Sequence, residues 1–378
     1  SWLKADRRFL ERSGGIAINL ARQSTDASGL QAITQSKLGE QVRAFLRAVF
    51  TGQVVNPTES RAALHWVYRA INNPELFESL PFEVSGTTDG RDELHAALNE
   101  VARMEAFVDE VRAGDYTNPE GHAYTAIVHL GIGGSDLGPR LLDQVFNRLY
   151  LRQGQPPLDL RFIANLDYHE QQWALQGLDP TRTLVIMASK SFSTRETLLN
   201  AQCIREWLDK AGPQYAPHAF VGATCKPEKA IEFGVDASRV FAFSEEVGGR
   251  YSLWGPVSIA IRMVYGNAVF RDFLHGAAEM DVHTLQAPLH ENLPVLLATA
   301  DHANLNQGVD SLMLSPYDSR MDLLIPYLQQ LWMESLGKGV NNQGELLDKP
   351  ACPILWGDVG TNGQHAFFQM LHQSRSEE

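Results

Sequence analysis

Cysteine is scarce in these 378 residues: only Cys203, Cys225 and Cys352, with no CxxC pair among them. An odd, scattered set suits reduced thiols and argues against a disulfide framework. Positive charge is also short, with 32 lysines and arginines against 45 acidic residues, a formal net charge of −13. A nucleic-acid binder normally carries a basic face, so no nucleic-acid partner is expected. A small anionic ligand remains compatible with an acidic chain. Fields are screened over about 8 Å at physiological salt, and a local lysine, arginine or helix N-terminus outweighs distant charge. No apolar run approaches the ~20 residues that span a bilayer. The opening SWLKADRRFLERSGG lacks the apolar centre of a secretory signal. No histidine falls in HExxH or another metal-ligand spacing. The expectation is a soluble, cytoplasmic chain with no membrane partner, no metal and no cofactor.

What is present is ordinary globular material, 44% hydrophobic and 20% charged, long enough for two domains. Residues 1–115 read as mainly helical. GEQVRAFLRAVF has apolar residues at helical spacing, and in NPTES Asn56 as N-cap, Pro57 and Glu59 predict the start of a helix through RAALHWVYRAI. From about 120 the pattern changes. YTAIVHLGI, LDLRFIANL, TLVIMASK, HAFVGAT and RVFAF each precede a helical stretch. Near-continuous apolar strands alternating with helices predict an α/β fold with a parallel sheet covered on both faces. Right-handed crossovers then place every strand-to-helix loop on one edge. After about 270, helices and the pieces VDSLMLSP, IPYLQQLWMES and ACPILWG suggest a second α/β unit. The expected divisions are an N-terminal helical region at 1–95, a first domain at 96–270 and a second at 271–378.

Five loops could carry chemistry. HLGIGGSDLGP follows the first strand, but a dinucleotide fingerprint from Gly131 fails at Asp136, a P-loop lacks its GK[ST], and a nucleophile elbow lacks the glycine that Leu137 replaces. What remains is a tight turn, or a small-anion loop in which Gly133 and Gly134 expose N–H groups and Ser135 adds a hydroxyl. Ser189, Lys190, Ser191 and Thr194 lie together in SKSFST, between the strand TLVIMA and the helix RETLLNAQ. Ser193 and Glu196 could form a capping box, which would account for one hydroxyl but not for the others. Two such loops on one sheet edge make a crevice suited to phosphate. Arg250 in GGRYS is flanked by glycines and an aromatic, as a surface arginine or as a guanidinium facing an oxyanion. Gln330 and Glu334 share a helix face four residues apart. Gly337 predicts the helix end there, and the dipole with partial burial would raise the Glu334 carboxyl toward a general base; otherwise it is a solvated glutamate. His365 in GTNGQHAF is expected in the first turn of the last helix, held neutral by the positive end, or else simply structural. Together these imply proton transfer on a phosphorylated small molecule.

In order along residues 55–373, NPTESRAALH, GIGGSDLGP, SKSFSTRET, GGRYSLWGP, MESLGK and GTNGQHAF resemble the glucose-6-phosphate isomerase family. The resemblance implies two α/β/α sandwich sugar-isomerase domains with mainly parallel sheets plus N-terminal helices, and a homodimer with active sites at the subunit interface. It implies aldose–ketose interconversion of glucose 6-phosphate and fructose 6-phosphate, in glycolysis and gluconeogenesis, without metal or nucleotide. By motif, Gly134, Ser135, Ser189, Lys190, Ser191 and Thr194 resemble the family's phosphate cradle. His365 resembles its ring-opening group, supplied by the neighbouring subunit. Glu334 resembles its base between C2 and C1 through a cis-enediol, Arg250 its enediolate stabiliser, and Gln330 a substrate-orienting group. Alternatives are a dual glucose/mannose 6-phosphate isomerase and a non-catalytic sugar-phosphate sensor. Leu336 stands where asparagine is usual after MES. The family continues beyond QHAFFQMLHQ and supplies a lysine near the ring oxygen, so the second domain is expected to be incomplete at its C-terminal end.

Overall fold

The computed structural model describes residues 10–13, 15–20, 29, 32, 34–78, 80, 84–85, 88–150 and 158–373, so the opening SWLKADRRF and the closing SRSEE lie outside the described residues. The chain forms two compact units, one from Ser1–His95, Asp272–Leu312 and Trp332–Ile354, the other from Ala96–Arg271, Met313–Leu331 and Leu355–Glu378.

The first unit departs from the helical expectation at its start. Strands β1 (Leu10–Ser13) and β2 (Ile16–Asn19) pair antiparallel, with Ser13 opposite Ile16. Gly15 turns the chain at φ +80°. A two-residue hairpin turn needs such positive φ, which glycine adopts at no steric cost. The helix Lys37–Phe50 forms as expected, its first turn capped by the Ser36 hydroxyl accepting from the Leu38 N–H at 3.2 Å.

NPTES does not start a helix. Asn56 and Arg61 exchange backbone hydrogen bonds of 3.0 and 3.1 Å across a tight turn, with Ser60 at φ +53°. The Asn56 side chain accepts from the Thr58 hydroxyl at 2.8 Å. Both groups needed for capping are therefore engaged elsewhere. The following residues make the short 3-10 turns His65–Tyr68 and Ala70–Asn72, which bury Trp66 completely. Trp66 stacks on Phe77 at 5.1 Å and tilts against Phe50 at 5.8 Å. Arg69 pairs through Nε and Nη2 with buried Asp281, at 2.6 and 2.9 Å, and its Nη1 reaches His65 Nδ1 at 3.0 Å. The short strands β3 (Val84–Ser85) and β4 (Thr88–Asp89) pair antiparallel.

The second unit holds the main sheet. Its strands are β5 (Ala126–Leu130), β6 (Asp159–Ile163), β7 (Thr183–Ala188), β8 (Phe220–Thr224) and β9 (Val240–Ala242). All neighbours are parallel, in the order β6-β5-β7-β8-β9. Every residue of AIVHL, TLVIMA and FVGAT is buried, as apolar strands covered on both faces require. On one face Val128, Leu130, Val185, Met187 and Phe220 pack with Ala201, Ile204 and Leu208 of the helix Arg195–Asp209. Each of these Val, Leu, Ile, Met and Phe side chains contributes roughly 1.5–3 kcal/mol relative to exposure.

One buried charge cluster belongs to this unit. Arg262, wholly buried, donates to Glu105 Oε1 at 2.9 Å, and Arg271 donates to the same oxygen at 2.9 Å. Burial alone would raise the Glu105 carboxyl, but the two guanidiniums hold it below its ordinary value. Strands β10 (Ser311–Leu314) and β11 (Ile354–Gly357) form a separate two-stranded sheet.

Candidate active site

The main sheet reverses its winding between β5 and β7: the chain places β6 on one side of β5 and all later strands on the other. Ligands of open α/β sheets sit outside the carboxyl ends of the strands at that reversal. Leu130 and Met187 are register partners there, so the loops that follow them, 131–135 and 189–194, leave the sheet side by side. These are two of the five loops singled out from sequence.

In the first loop, Gly133–Ser135 makes a 3-10 turn, with Gly133 at φ +56°. Gly134 is glycine because of protein as much as ligand. A Cβ there would lie 2.3 Å from the Gly249 carbonyl carbon and 2.4 Å from the Arg250 nitrogen. The two backbones meet, and Arg250 is thereby fixed against the loop. A Cβ at Gly133 would come 2.8 Å from Gln330 Nε2, so Gln330 lies over the same turn. Tyr327, in the turn before Gln330, donates its hydroxyl to the Arg250 carbonyl at 3.4 Å. Ser135 is buried, and Asp136 beside it turns its carboxylate to Arg140 at 2.8 Å. Burial pushes that carboxyl up while Arg140 opposes the rise, and the nearest acidic group is engaged away from an anion at Ser135.

The second loop is strained. Phe192 has φ +47°, uncommon for so bulky a side chain, and its ring is buried in the core under the sheet. The buried ring over-determines the backbone, a device found at ligand clamps. The Ser189 and Thr194 hydroxyls lie 3.2 Å apart. The expected capping box does not form. Thr194 occupies the cap position without a side-chain cap bond, and the Ser193 hydroxyl donates to Ser191 Oγ at 2.9 Å. The first N–H groups of the 15-residue helix Arg195–Asp209 are thus left by the side chains for another acceptor. The Lys190 ammonium donates to the Glu245 carbonyl at 2.6 Å, which anchors it at this edge.

Arg250 itself lies in the 3-10 segment Gly249–Trp254, its guanidinium carbon 5.4 Å from the Tyr251 ring centre. Gln330 and Glu334 open and close a π-helical segment, Gln330–Glu334, that continues the helix Leu324–Gln329. Such bulges concentrate at functional sites. The helical run continues through Leu336 and ends where Gly337 donates its N–H to the Met333 carbonyl at 2.7 Å, and a Cβ at Gly337 would lie 2.2 Å from that oxygen.

Glu334 is exposed in the chain, so the expected burial does not act on it. His365 falls in the last turn of the helix Gly360–Ala366, and another helix, Phe368–Gln373, follows. The argument for a neutral ring at a positive helix end therefore does not apply; the side chain is exposed to solvent.

Gly134, Ser135, Ser189, Lys190, Ser191, Thr194, Arg250, Gln330 and His365 all belong to the second unit, and Glu334 to the first. Leu336 is 44% exposed and packs into no core. One residue went unremarked in the sequence: His129, wholly buried in β5, whose Nε2 lies 2.8 Å from the Ser135 carbonyl oxygen. Its signal was available, a single polar residue inside AIVHL. Among the described residues no cluster of three metal-ligating side chains occurs, and no helix is long and apolar enough to cross a membrane.

The model of the phosphoglucose isomerase family matches residues 19–376. The glucose-6-phosphate isomerase of Burkholderia ambifaria is 39% identical over 370 residues, covering 97% of this chain and 65% of the relative. That of a Jannaschia species is 40% identical over 362 residues, covering 95% and 64%. The chain thus spans about two thirds, 64–65%, of the length of these relatives. The crystal structure of a glucose-6-phosphate isomerase from Chlamydia trachomatis superposes with a TM-score of 0.80 at 26% identity, covering 97% of this chain and 68% of that one. A hypothetical protein from Thermus thermophilus gives 0.59 at 26% identity, covering 82% and 67%.

Proposed function

The chain belongs to the phosphoglucose isomerase family, and from that membership we propose that the protein interconverts glucose 6-phosphate and fructose 6-phosphate. The observation that carries this reading is the pair of hydroxyl-rich loops at the winding reversal of a parallel sheet, one packed against Arg250 and Gln330. The phosphate of the sugar is held by the Gly134 N–H, by the Ser135, Ser189, Ser191 and Thr194 hydroxyls, by Lys190, and by the start of the helix Arg195–Asp209. Glu334 is the base that removes the proton from one of C1 and C2 and returns it to the other through a cis-enediol. A positioned base gives roughly 10²–10⁴-fold. Orientation by the cradle and Gln330, and charge stabilisation of the enediolate by Arg250, supply the remainder. No metal or nucleotide takes part.

His365, exposed on its own chain, serves ring opening in the site of a second copy, which makes the protein a homodimer. On this reading the chain divides into an N-terminal helical region at 1–95, a first sugar-isomerase domain at 96–270 and a second at 271–378. The protein works in the cytoplasm, in glycolysis and gluconeogenesis.

The test is turnover of glucose 6-phosphate and of mannose 6-phosphate, followed by appearance of fructose 6-phosphate. Conversion of the glucose epimer alone is expected. Equal conversion of both would establish dual specificity, and binding without conversion of either would establish a sensor.

A further inference from the structure

His129 is the one polar side chain in a strand whose other members are Ala126, Ile127, Val128 and Leu130, all buried. It points to the sheet face opposite Val128 and Leu130, with its ring 5.3 Å from that of Phe162 on β6. Its Nε2 approaches the Ser135 carbonyl oxygen at 2.8 Å. A carbonyl only accepts, so the ring carries its proton on Nε2. Nδ1 is buried with no hydrogen-bond partner among the described residues, as suits a bare lone pair. Burial drives the ring pKa down to about 4, with Arg140 as the nearby charge acting the same way and the bond to Ser135 opposing, so the tautomer is constant across neutral pH.

The bond joins the floor of the sheet to the turn that carries the cradle. The Ser135 peptide has its N–H bonded to Ile132, closing the 3-10 turn, and its carbonyl pinned from below by His129. The Ser135 hydroxyl belongs to the residue thus held. We propose that His129 is a positioning residue for the sugar-phosphate loop, fixing the Ser135 peptide through Nε2–H so that the Gly133–Ser135 turn is preformed for an anion. This role rests on the sugar-phosphate reading of the site.

The test compares wild type, His129→Leu and His129→Gln, using glucose 6-phosphate as the probe in calorimetric titration. Leucine removes the donor, whereas the glutamine amide can place a donor nearly where Nε2 sits. Losing one such bond is expected to weaken binding by about five- to tenfold, raising KM more than it lowers kcat. Glutamine should restore most of the loss. Nitrogen-15 spectra of the wild-type ring should show the Nε2–H tautomer, unchanged from pH 8 to pH 5. The Nδ1–H tautomer, or equal affinity in wild type and His129→Leu, or no rescue by glutamine, would overturn the positioning role while leaving the sugar-phosphate site intact. Absence of binding by wild type would overturn that site, and this role with it. The ring spectrum is read on the unaltered protein and decides the point even where the leucine variant misfolds.

Discussion

Substituting Gly134 by alanine separates two explanations of the glycine-rich loop. An added Cβ would sit 2.3 Å from the Gly249 carbonyl carbon, where ordinary contact begins near 3.4 Å. Two backbones must therefore part by about 1.1 Å, the difference between those distances. Neither is the end of a flexible side chain, so overpacking should cost about 1–3 kcal/mol of stability. The same shift carries Arg250 with it. Misplacement of a catalytic group by about 1 Å can cost 10²-fold in rate. Gly134→Ala should thus lower kcat far more than its stability loss implies, while phosphate affinity falls less. Gly249→Ala is the matched control: nothing lies within 4 Å of its Cβ position, so it should change neither activity nor melting by much. Denaturant unfolding and steady-state kinetics on both variants provide the readout. If Gly134→Ala behaves like Gly249→Ala, the backbone contact does not set the position of Arg250 and the reasoning is wrong.

Other outcomes follow from the same structure. His129 has its folded pKa depressed from 6.5 to about 4, so on acidification the unfolded chain takes up a proton that the folded one refuses. Stability should fall as pH drops from 6.5 toward 4, by at most about 3 kcal/mol for this group. His65, lowered by burial and then by Arg69, adds in the same direction, and His129→Gln should flatten part of the slope in urea melts. Asp281→Ala removes the carboxylate that neutralises the buried Arg69 guanidinium, at a cost of about 3–5 kcal/mol. Glu59→Gln breaks the exposed pair with Arg61 and should cost under about 1 kcal/mol; comparable losses in the two variants would refute the burial argument.

The parallel sheet was legible because AIVHL, TLVIMA and FVGAT are short, apolar and bounded by glycine or hydroxyl loops, a pattern that only full burial explains. The positions of the two sheet-edge loops were legible for the same reason, since each follows such a strand. Other features depend on contacts distant in sequence. NPTES obeys the local grammar of a helix start, but its cap residue pairs with Arg61 instead. Ser193 and Glu196 have capping-box spacing, yet Ser193 turns to Ser191 and leaves the cap to Thr194. His365 was misplaced within its helix because the helix is only seven residues long, so a shift of one turn exchanges its ends. The sequence offers a tight turn or an anion loop at Gly134 and gives no sign of the Gly249–Arg250 backbone that a Cβ there would strike. Loop glycines can announce close approach without saying to what.

The central claim is that Glu334 moves a proton between C1 and C2 of a sugar phosphate held at the sheet edge. Its most direct test is incubation of fructose 6-phosphate with the protein in deuterium oxide, following deuterium at C2 of glucose 6-phosphate by NMR. Wild type should incorporate it, and Glu334→Gln should do so at least ~10²-fold more slowly with near-normal affinity. Undiminished incorporation in Glu334→Gln would contradict the account.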